Sequence, residues 1–561
     1  MNTTTRPTTT LAMQSGSLRT FQLACVGGIL LWLSFPPLGW WPLAWVAPIF
    51  WITIAALPSL PGRRPYWQLY AAGGIHWLLT LQWVRLPHWS AYFGWLALAG
   101  YLAVYLPLFV WLVRTAVHRW RIPVVVAAPV VWCGLELLRL YLLSGFSIAL
   151  LAHTQVAVPQ LIQLADIGGA YAVGFVMMLS SSIATRSIIH YWQDRRMPLS
   201  VVLVPAIICA VWLYGSYAMQ GAKTQDRTRV ARVGVIQGVV DTTFEDPHES
   251  RKAFEQYLQL SQRFVAEHGE VDLILWPESM FTYELPWITY ETPLQPPPEW
   301  QGTEEEFTAH VSRLARHSRE KARYVTSLLR SPILVGSAAD HLVGSEDQRY
   351  NAALWFDADG RLLGQYHKMH PVMFGEYVPL GNIFPWLYHL TPMGSGLTPG
   401  RQPLSIDVGP LKGSTNICYE NTVPHLVRRQ LEELRRSGQQ VDMMITLSND
   451  GWFWGSSELD LHLACGIFRA VENRCPALVA ANTGFSAWID ADGRLEAVGK
   501  RHATDTILAT VAADSRRSLY GVLGDWPAAA CLAFSLVLGL SEVWTGRAAA
   551  GKGPKMAENP A

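Results

Sequence analysis

Eight apolar runs constrain this chain more than any other feature. Seven follow one another at residues 21–35, 43–57, 69–84, 91–113, 123–138, 163–189 and 199–217, and one stands alone at 526–544. Backbone polar groups in hydrocarbon must find partners within their own segment, so runs of this kind fold as helices that lie in or cross a bilayer. A crossing helix needs about 20 residues. Several runs are shorter, and flanking Trp and Pro residues extend them. The first run lacks a small-residue cleavage site and is followed by further runs, so it reads as a span rather than a secretory signal. Only 16% of the residues are charged, against about 25% in ordinary soluble domains.

Short-loop charges orient the series. With the N-terminus inside, the inner loops carry Arg63, Arg64, Arg114, Arg119, Arg121, Arg186, Arg195 and Arg196, and the outer loops only Arg85 and Arg139. That asymmetry follows the positive-inside rule. Seven spans then put the long polar segment outside the cytoplasm. The expected organisation is a disordered tail (1–18), a membrane domain of about seven spans (19–224), an α/β domain (225–520), a last transmembrane helix (521–546) and a cytoplasmic tail (547–561) bearing Arg547, Lys552 and Lys555. Glu136, Arg139 and Asp166 are the charges that stand out within the runs. Transport would need such residues along a pathway, and a structural role is the alternative.

Residues 229–515 alternate strand-like and helix-like stretches. "VDLILWPE", "SPILVGSA" and "VDMMITLS" read as buried strands, and "EEEFTAHVSRLARHSREKARYV" and "LDLHLACGIFRAVENR" as helices. Continuous apolar strands require cover on both faces, which gives a layered α/β domain. The net charge of +1 leaves no nucleic-acid footprint. The seven cysteines show no metal-type spacing. Cys465 and Cys475 read as core residues, whereas Glu278, Lys368 and Cys418 each end an apolar strand, where α/β folds place ligand chemistry. A carboxylate, a lysine and a thiol suit acyl chemistry: base, oxyanion stabiliser and nucleophile. From spacing alone, a buried thiol and a surface lysine remain open for Cys418 and Lys368.

"LILWPES", "HKMHPVMFGEYVP" and "NICYEN" resemble the Glu–Lys–Cys signature of the nitrilase superfamily. The whole arrangement resembles the apolipoprotein N-acyltransferase family of the bacterial cytoplasmic membrane, through "FPPLGWWPLAWVAPIF", "LADIGGAYAVGF", "LSNDGWF" and "SLYGVLGDW" as well. The resemblance implies a polytopic helical membrane domain plus an external nitrilase-like αββα sandwich. It makes Glu278 the general base, Lys368 the electrostatic stabiliser and Cys418 the nucleophile, with Glu376, Tyr419 and Glu420 in support. Asn449, in a turn by composition, would line the site, and the Tyr419 N–H is a candidate oxyanion donor.

The implied reaction moves an acyl chain from a phospholipid, phosphatidylethanolamine in the family, to the N-terminal amine of a diacylglyceryl-cysteine apolipoprotein through a cysteine thioester. No metal or organic cofactor is called for, and the enzyme is expected to act as a monomer in the inner membrane, with its catalytic domain on the periplasmic side. A membrane-anchored amidase using water is the alternative. Three aromatic stretches, 280–291, 382–393 and 451–455, are expected to include lids that dip into lipid. The chain departs from the family pattern at Gly238-Val239, at "NTVPH" after Glu420, and at "GWFWGSSELDLH", which lacks the usual Pro-Tyr.

Overall fold

The computed structural model describes residues 19–550, apart from 221–225, 241, 243–248, 283–284, 382 and 391–395. The expectations for 1–18 and for Lys552 and Lys555 lie outside the described residues. All eight apolar runs contain helix. Four helical stretches, Ala91–Arg119, Val124–Ser144, Ala165–Asp194 and Leu199–Ala218, are long and apolar enough to cross a membrane. Arg19–Ser34, Trp41–Ala56 and Trp526–Glu542 are shorter apolar helices.

Two of these helices are shaped by glycine. Gly145 has φ +86°, and a Cβ there would lie 2.2 Å from the Leu140 carbonyl oxygen, so only glycine makes the tight turn that follows Val124–Tyr141. Gly168 and Gly169 break the backbone near the start of Ala165–Asp194. The break leaves the Ala170 N–H to donate to the Glu472 carboxylate at 3.0 Å.

The strands of the α/β domain are, in chain order, β1 (Asp226–Gln237), β2 (Leu273–Trp276), β3 (Trp287–Leu294), β4 (Ile333–Gly344), β5 (Glu346–Phe356), β6 (Leu362–His367), β7 (Ser405–Val408), β8 (Leu411–Ile417), β9 (Met443–Asn449), β10 (Ala477–Asn482), β11 (Ala487–Ile489), β12 (Leu495–Val498) and β13 (Asp505–Ala513). They form two sheets, β13-β1-β2-β4-β5-β6 with β3 also on β4, and β12-β11-β10-β9-β8-β7. Val233, Leu275, Ile417, Ile445 and Leu478 fill the space between the sheets. Glu249–His268 and Glu304–Leu329 cover the first sheet. The latter opens on a Thr303–Glu306 capping box, which satisfies two helix-end donors. Pro424–Arg436 and Glu458–Asn473 cover the second sheet, giving four layers in the order αββα.

Strand direction gathers the chemistry at one edge. β1, β2 and β4 are mutually parallel, and so are β8, β9 and β10. β6 is antiparallel to β5, which is antiparallel to β4, so β6 runs with β4. The residues after β2 and β6 therefore emerge on the same side, and the Asn449 N–H at the end of β9, which runs parallel to β8, meets Glu278 there.

The membrane helices pack directly on the second sheet's helical layer. One buried cluster runs from Val479 and Ile489 through Cys465 and Phe468 to Ala149, Leu151 and Ala165. Polar links reinforce it. Arg474 pairs with Asp166 at 2.5 Å and with Asp492 at 2.7 Å. Glu136 accepts from Leu151 N–H and Arg139 donates to the Ala149 carbonyl. The three charges that stood out in the apolar runs thus serve structure. One stretch differs from expectation: within 280–291, Met280, Phe281 and Trp287 are core residues and 287 onward is a strand, because its aromatic side chains pack under Glu304–Leu329 rather than facing lipid.

Replacing Arg474 with Met should destabilise the protein by about 3–5 kcal/mol, because Asp166 would be left without its cation at the seam. Thermal unfolding in detergent reads this as a clear fall in midpoint.

Candidate active site

Glu278, Lys368 and Cys418 follow β2, β6 and β8, and the fold brings Glu278 and Lys368 into contact. Lys368 is 2% exposed and donates to Glu278 Oε1 at 3.2 Å and to Glu376 Oε1 at 2.9 Å. Burial works against the ammonium, but the two carboxylates outweigh it and hold Lys368 well above its usual range. Burial likewise opposes the Glu376 carboxylate, and Lys368 overrides it and lowers the carboxyl's pKa. The second oxygen of Glu278 accepts from the Asn449 N–H at 2.9 Å, and that of Glu376 accepts from the Val372 N–H at 2.8 Å.

Cys418 is half-buried and opens the turn Cys418–Thr422 with φ +52°. That backbone conformation is strained for a non-glycine residue, and its neighbours must hold it. Burial raises the thiol's pKa well above its usual value, and the Glu278 charge raises it further against the opposing pull of Lys368. The resting cysteine is a neutral thiol beside a carboxylate, and the charges of Glu278 and Lys368 both reach it.

Glu420 is a clamp rather than a participant. One oxygen accepts from the N–H groups of Met369 and His370 at 2.6 and 3.0 Å, and the other from Ile417 N–H at 2.7 Å. The Tyr366 hydroxyl donates to the same carboxylate. Glu420 thereby ties the Lys368 loop to the Cys418 turn. Tyr419 faces the other way: its hydroxyl donates to the Gly145 carbonyl at 2.8 Å, and Ser147 donates to Thr422 at 2.9 Å. The cysteine turn is thus fastened to a membrane-domain loop. Asn449 unites turn and pocket, since its side-chain oxygen accepts from Gly451 N–H and from Asn482 while its N–H reaches Glu278.

Two residues escaped sequence reasoning. Asn351, on β5, donates from one amide nitrogen to Glu278 at 2.6 Å and Glu376 at 2.9 Å, which couples the two carboxylates. Its stretch "YNAALWFD" reads only as a strand. His462, on Glu458–Asn473, donates from Nε2 to the Cys418 carbonyl at 3.2 Å and meets Asp450 through Nδ1 at 3.2 Å. Burial would lower its pKa, but the Asp450 charge and hydrogen bond lead the groups that push it up to about 9, so an imidazolium holds the strained carbonyl. Asp450, Glu458 and His462 place three donor atoms within 4.8 Å of one another. This is the one cluster among the described residues with metal-ligand geometry. Burial, followed by the Asp450 charge, raises the Glu458 carboxyl well above its usual range.

Comparison with known proteins adds the lineage. Residues 232–520 match the carbon-nitrogen hydrolase family model and residues 27–183 the apolipoprotein N-acyltransferase N-terminal domain. A protein of Rhodopirellula baltica named apolipoprotein N-acyltransferase is 32% identical over 538 residues, covering 89% of this chain and 93% of that one. One of the same name from Geobacter metallireducens is 29% identical, covering 93% and 94%. Among solved structures, an amidase from Nesterenkonia sp. is 17% identical with TM-score 0.35 over 51% of this chain and 93% of that one. A Saccharomyces cerevisiae protein from branch 10 of the nitrilase superfamily is 18% identical with TM-score 0.35 over 51% and 90%. A helical membrane domain joined to a nitrilase-type α/β sandwich is the class that fold and matches define. Within that class, the chain belongs to the apolipoprotein N-acyltransferase family.

Asn351→Leu removes both bridging hydrogen bonds and leaves two buried carboxylates to share one ammonium. N-acylation of a lipopeptide acceptor should fall at least about tenfold, each lost bond to a charged group being worth roughly 1.5–3 kcal/mol. Circular dichroism should stay unchanged.

Proposed function

We propose that this protein transfers an acyl chain from a phospholipid, with phosphatidylethanolamine the expected donor, to the α-amine of diacylglyceryl-cysteine apolipoproteins through a thioester on Cys418. The observation that carries the reading is the buried Glu278–Lys368–Glu376 set beside a half-buried cysteine whose turn is fastened to the membrane domain. A water-soluble substrate would need no such attachment; a lipid ester does.

In the first half-reaction Glu278 takes the Cys418 proton as sulfur attacks the ester carbonyl. Lys368 and the Tyr419 N–H stabilise the oxyanion, a term worth about 10²–10³ in rate per donor. Collapse expels the lysophospholipid alkoxide, which receives the proton from Glu278. In the second, the lipoprotein amine attacks the thioester and passes a proton to Glu278. The amide forms, the thiolate leaves and is reprotonated, and the cycle closes as ping-pong kinetics.

Glu376 fixes Lys368, Glu420 and Asn449 fix the turns, and Tyr419 ties the nucleophile to the membrane domain. Ile383, Phe384 and Trp386, which follow the Glu376 loop, are exposed, Trp386 by 59%. They suit entry of an acyl chain from the outer leaflet of the inner membrane, with the catalytic domain on the periplasmic face and the enzyme a monomer.

Incubation with acyl-labelled phosphatidylethanolamine, without acceptor, should leave hydroxylamine-sensitive label on Cys418 that a diacylglyceryl lipopeptide discharges. No label on the unmodified protein, or equal label on Cys418→Ser, would overturn the proposal. Label that water removes at once would favour the amidase reading.

A further inference from the structure

An open cleft of about 590 Å³ lies where the membrane domain meets the α/β domain. Trp83 and Arg85 line it from one side, and Gly455, Ser456, Ser457 and Arg501 from the other. The seam beside it is packed, with the Trp83 and Phe453 rings meeting edge to face at 5.1 Å. Phe453 ends the turn Asp450–Phe453 directly after Asn449, whose N–H binds Glu278. The loop that lines the cleft is therefore continuous in the chain with the turn that holds Glu278.

Its two arginines differ. Arg501 is pinned, donating to the Gly455 and Ser456 carbonyls and pairing with Asp460 at 2.6 Å. Arg85 has no carboxylate partner among the described residues. Its one side-chain hydrogen bond given by the structure goes to the Tyr92 hydroxyl at 2.9 Å, and its guanidinium lies 5.7 Å from the Tyr92 ring centre. Two arginines against Asp460 leave one net positive charge, the complement of a phosphodiester monoanion. The helix that follows, Ala91–Ala103, begins beside Trp89 and carries Phe93, which are 70% and 69% exposed. An exposed tryptophan such as Trp89 marks the level where headgroups meet acyl chains.

We infer that this cleft binds the phosphodiester of a membrane phospholipid, with Arg85 as its ionic partner and Trp89 and Phe93 beside the chains. The inference rests on the acyl-donor reading above, and names Arg85 as the residue that makes the donor a phospholipid rather than any ester. Arginine suits the task because its planar fork meets two phosphate oxygens at once, and basic pockets at the ends of membrane helices hold lipid headgroups on the same principle.

Binding and turnover test it separately. Short-chain phosphatidylethanolamine, titrated as monomer into the detergent-solubilised Cys418→Ala protein, should bind about ten- to hundredfold more weakly when Arg85→Gln is added, the range expected for one charge-assisted contact. Arg85→Lys should restore part of the loss. Short-chain diacylglycerol, which lacks the phosphate, should bind both proteins alike. In the acyl-labelling assay, Arg85→Gln should raise the phospholipid concentration needed for half-maximal labelling and leave labelling by a neutral p-nitrophenyl ester unchanged. Equal loss for phospholipid and diacylglycerol, no loss for either, or competition by inorganic phosphate as strong as that by the lipid would overturn the inference. Arg85-dependent binding without any label on Cys418 would leave this site standing and remove the acyl-transfer reading instead.

Discussion

The Lys368 ammonium lies between two carboxylates, Glu278 at 3.2 Å and Glu376 at 2.9 Å, and the three are tolerated away from water only as a set. Removing any one partner strands a buried charge, at a cost of several kcal/mol. One ammonium does not neutralise two carboxylates, and the amide hydrogens of Asn351 and the N–H groups of Val372 and Asn449 supply the remaining polarisation. This cluster sets the electrostatics of Cys418. Burial, followed by the Glu278 charge, keeps the thiol protonated, and in the proposed reaction the same carboxylate takes that proton. In the proposed reaction Lys368, already charged and fixed, stands where negative charge develops, so little reorganisation is needed.

Around this cluster the fold divides its labour between two attachments. Glu420 locks the Cys418 turn to the Lys368 loop inside the sandwich, and Tyr419, the residue before it, locks the same turn to Gly145 of the membrane domain. Cys418 is therefore indexed to both the Lys368 loop and the membrane helices. The continuous core from sheet to membrane helices, with Arg474, Glu472 and Asp166 embedded in it, makes that indexing rigid. A catalytic domain on a flexible tether would not present its cysteine at a fixed depth.

Much of this was legible in the sequence, for physical reasons. Apolar runs have few alternatives to helix in lipid, and strand ends such as Glu278, Lys368 and Cys418 are visible because a polar residue closing an apolar strand is costly without a purpose. Asn351 and His462 were not legible. Each acts across the fold, Asn351 by register on β5 and His462 from a helix 44 residues beyond the cysteine, and no local pattern distinguishes them from ordinary polar residues. The aromatic stretch at 280–291 misled in the opposite sense. Its composition suits lipid, but β3 adds to β4 and buries Trp287 beneath a helix. Asp166 read equally as pathway or structure until its partner Arg474, 308 residues away, was in place.

The central claim is that Cys418 rests as a neutral thiol and that Glu278 removes its proton during attack. The pH dependence of Cys418 alkylation by iodoacetamide, followed on its own peptide by mass spectrometry, tests this most directly in the unmodified protein and in Glu278→Gln. Alkylation of the unmodified protein should be slow at neutral pH and rise only in strongly alkaline solution, because reactivity follows the thiolate. Glu278→Gln should bring that rise to lower pH, since a negative charge beside the thiol is gone while Lys368 remains, and yet abolish acyl transfer. Rapid alkylation of the unmodified protein at neutral pH, or an unchanged profile in Glu278→Gln, would contradict the claim.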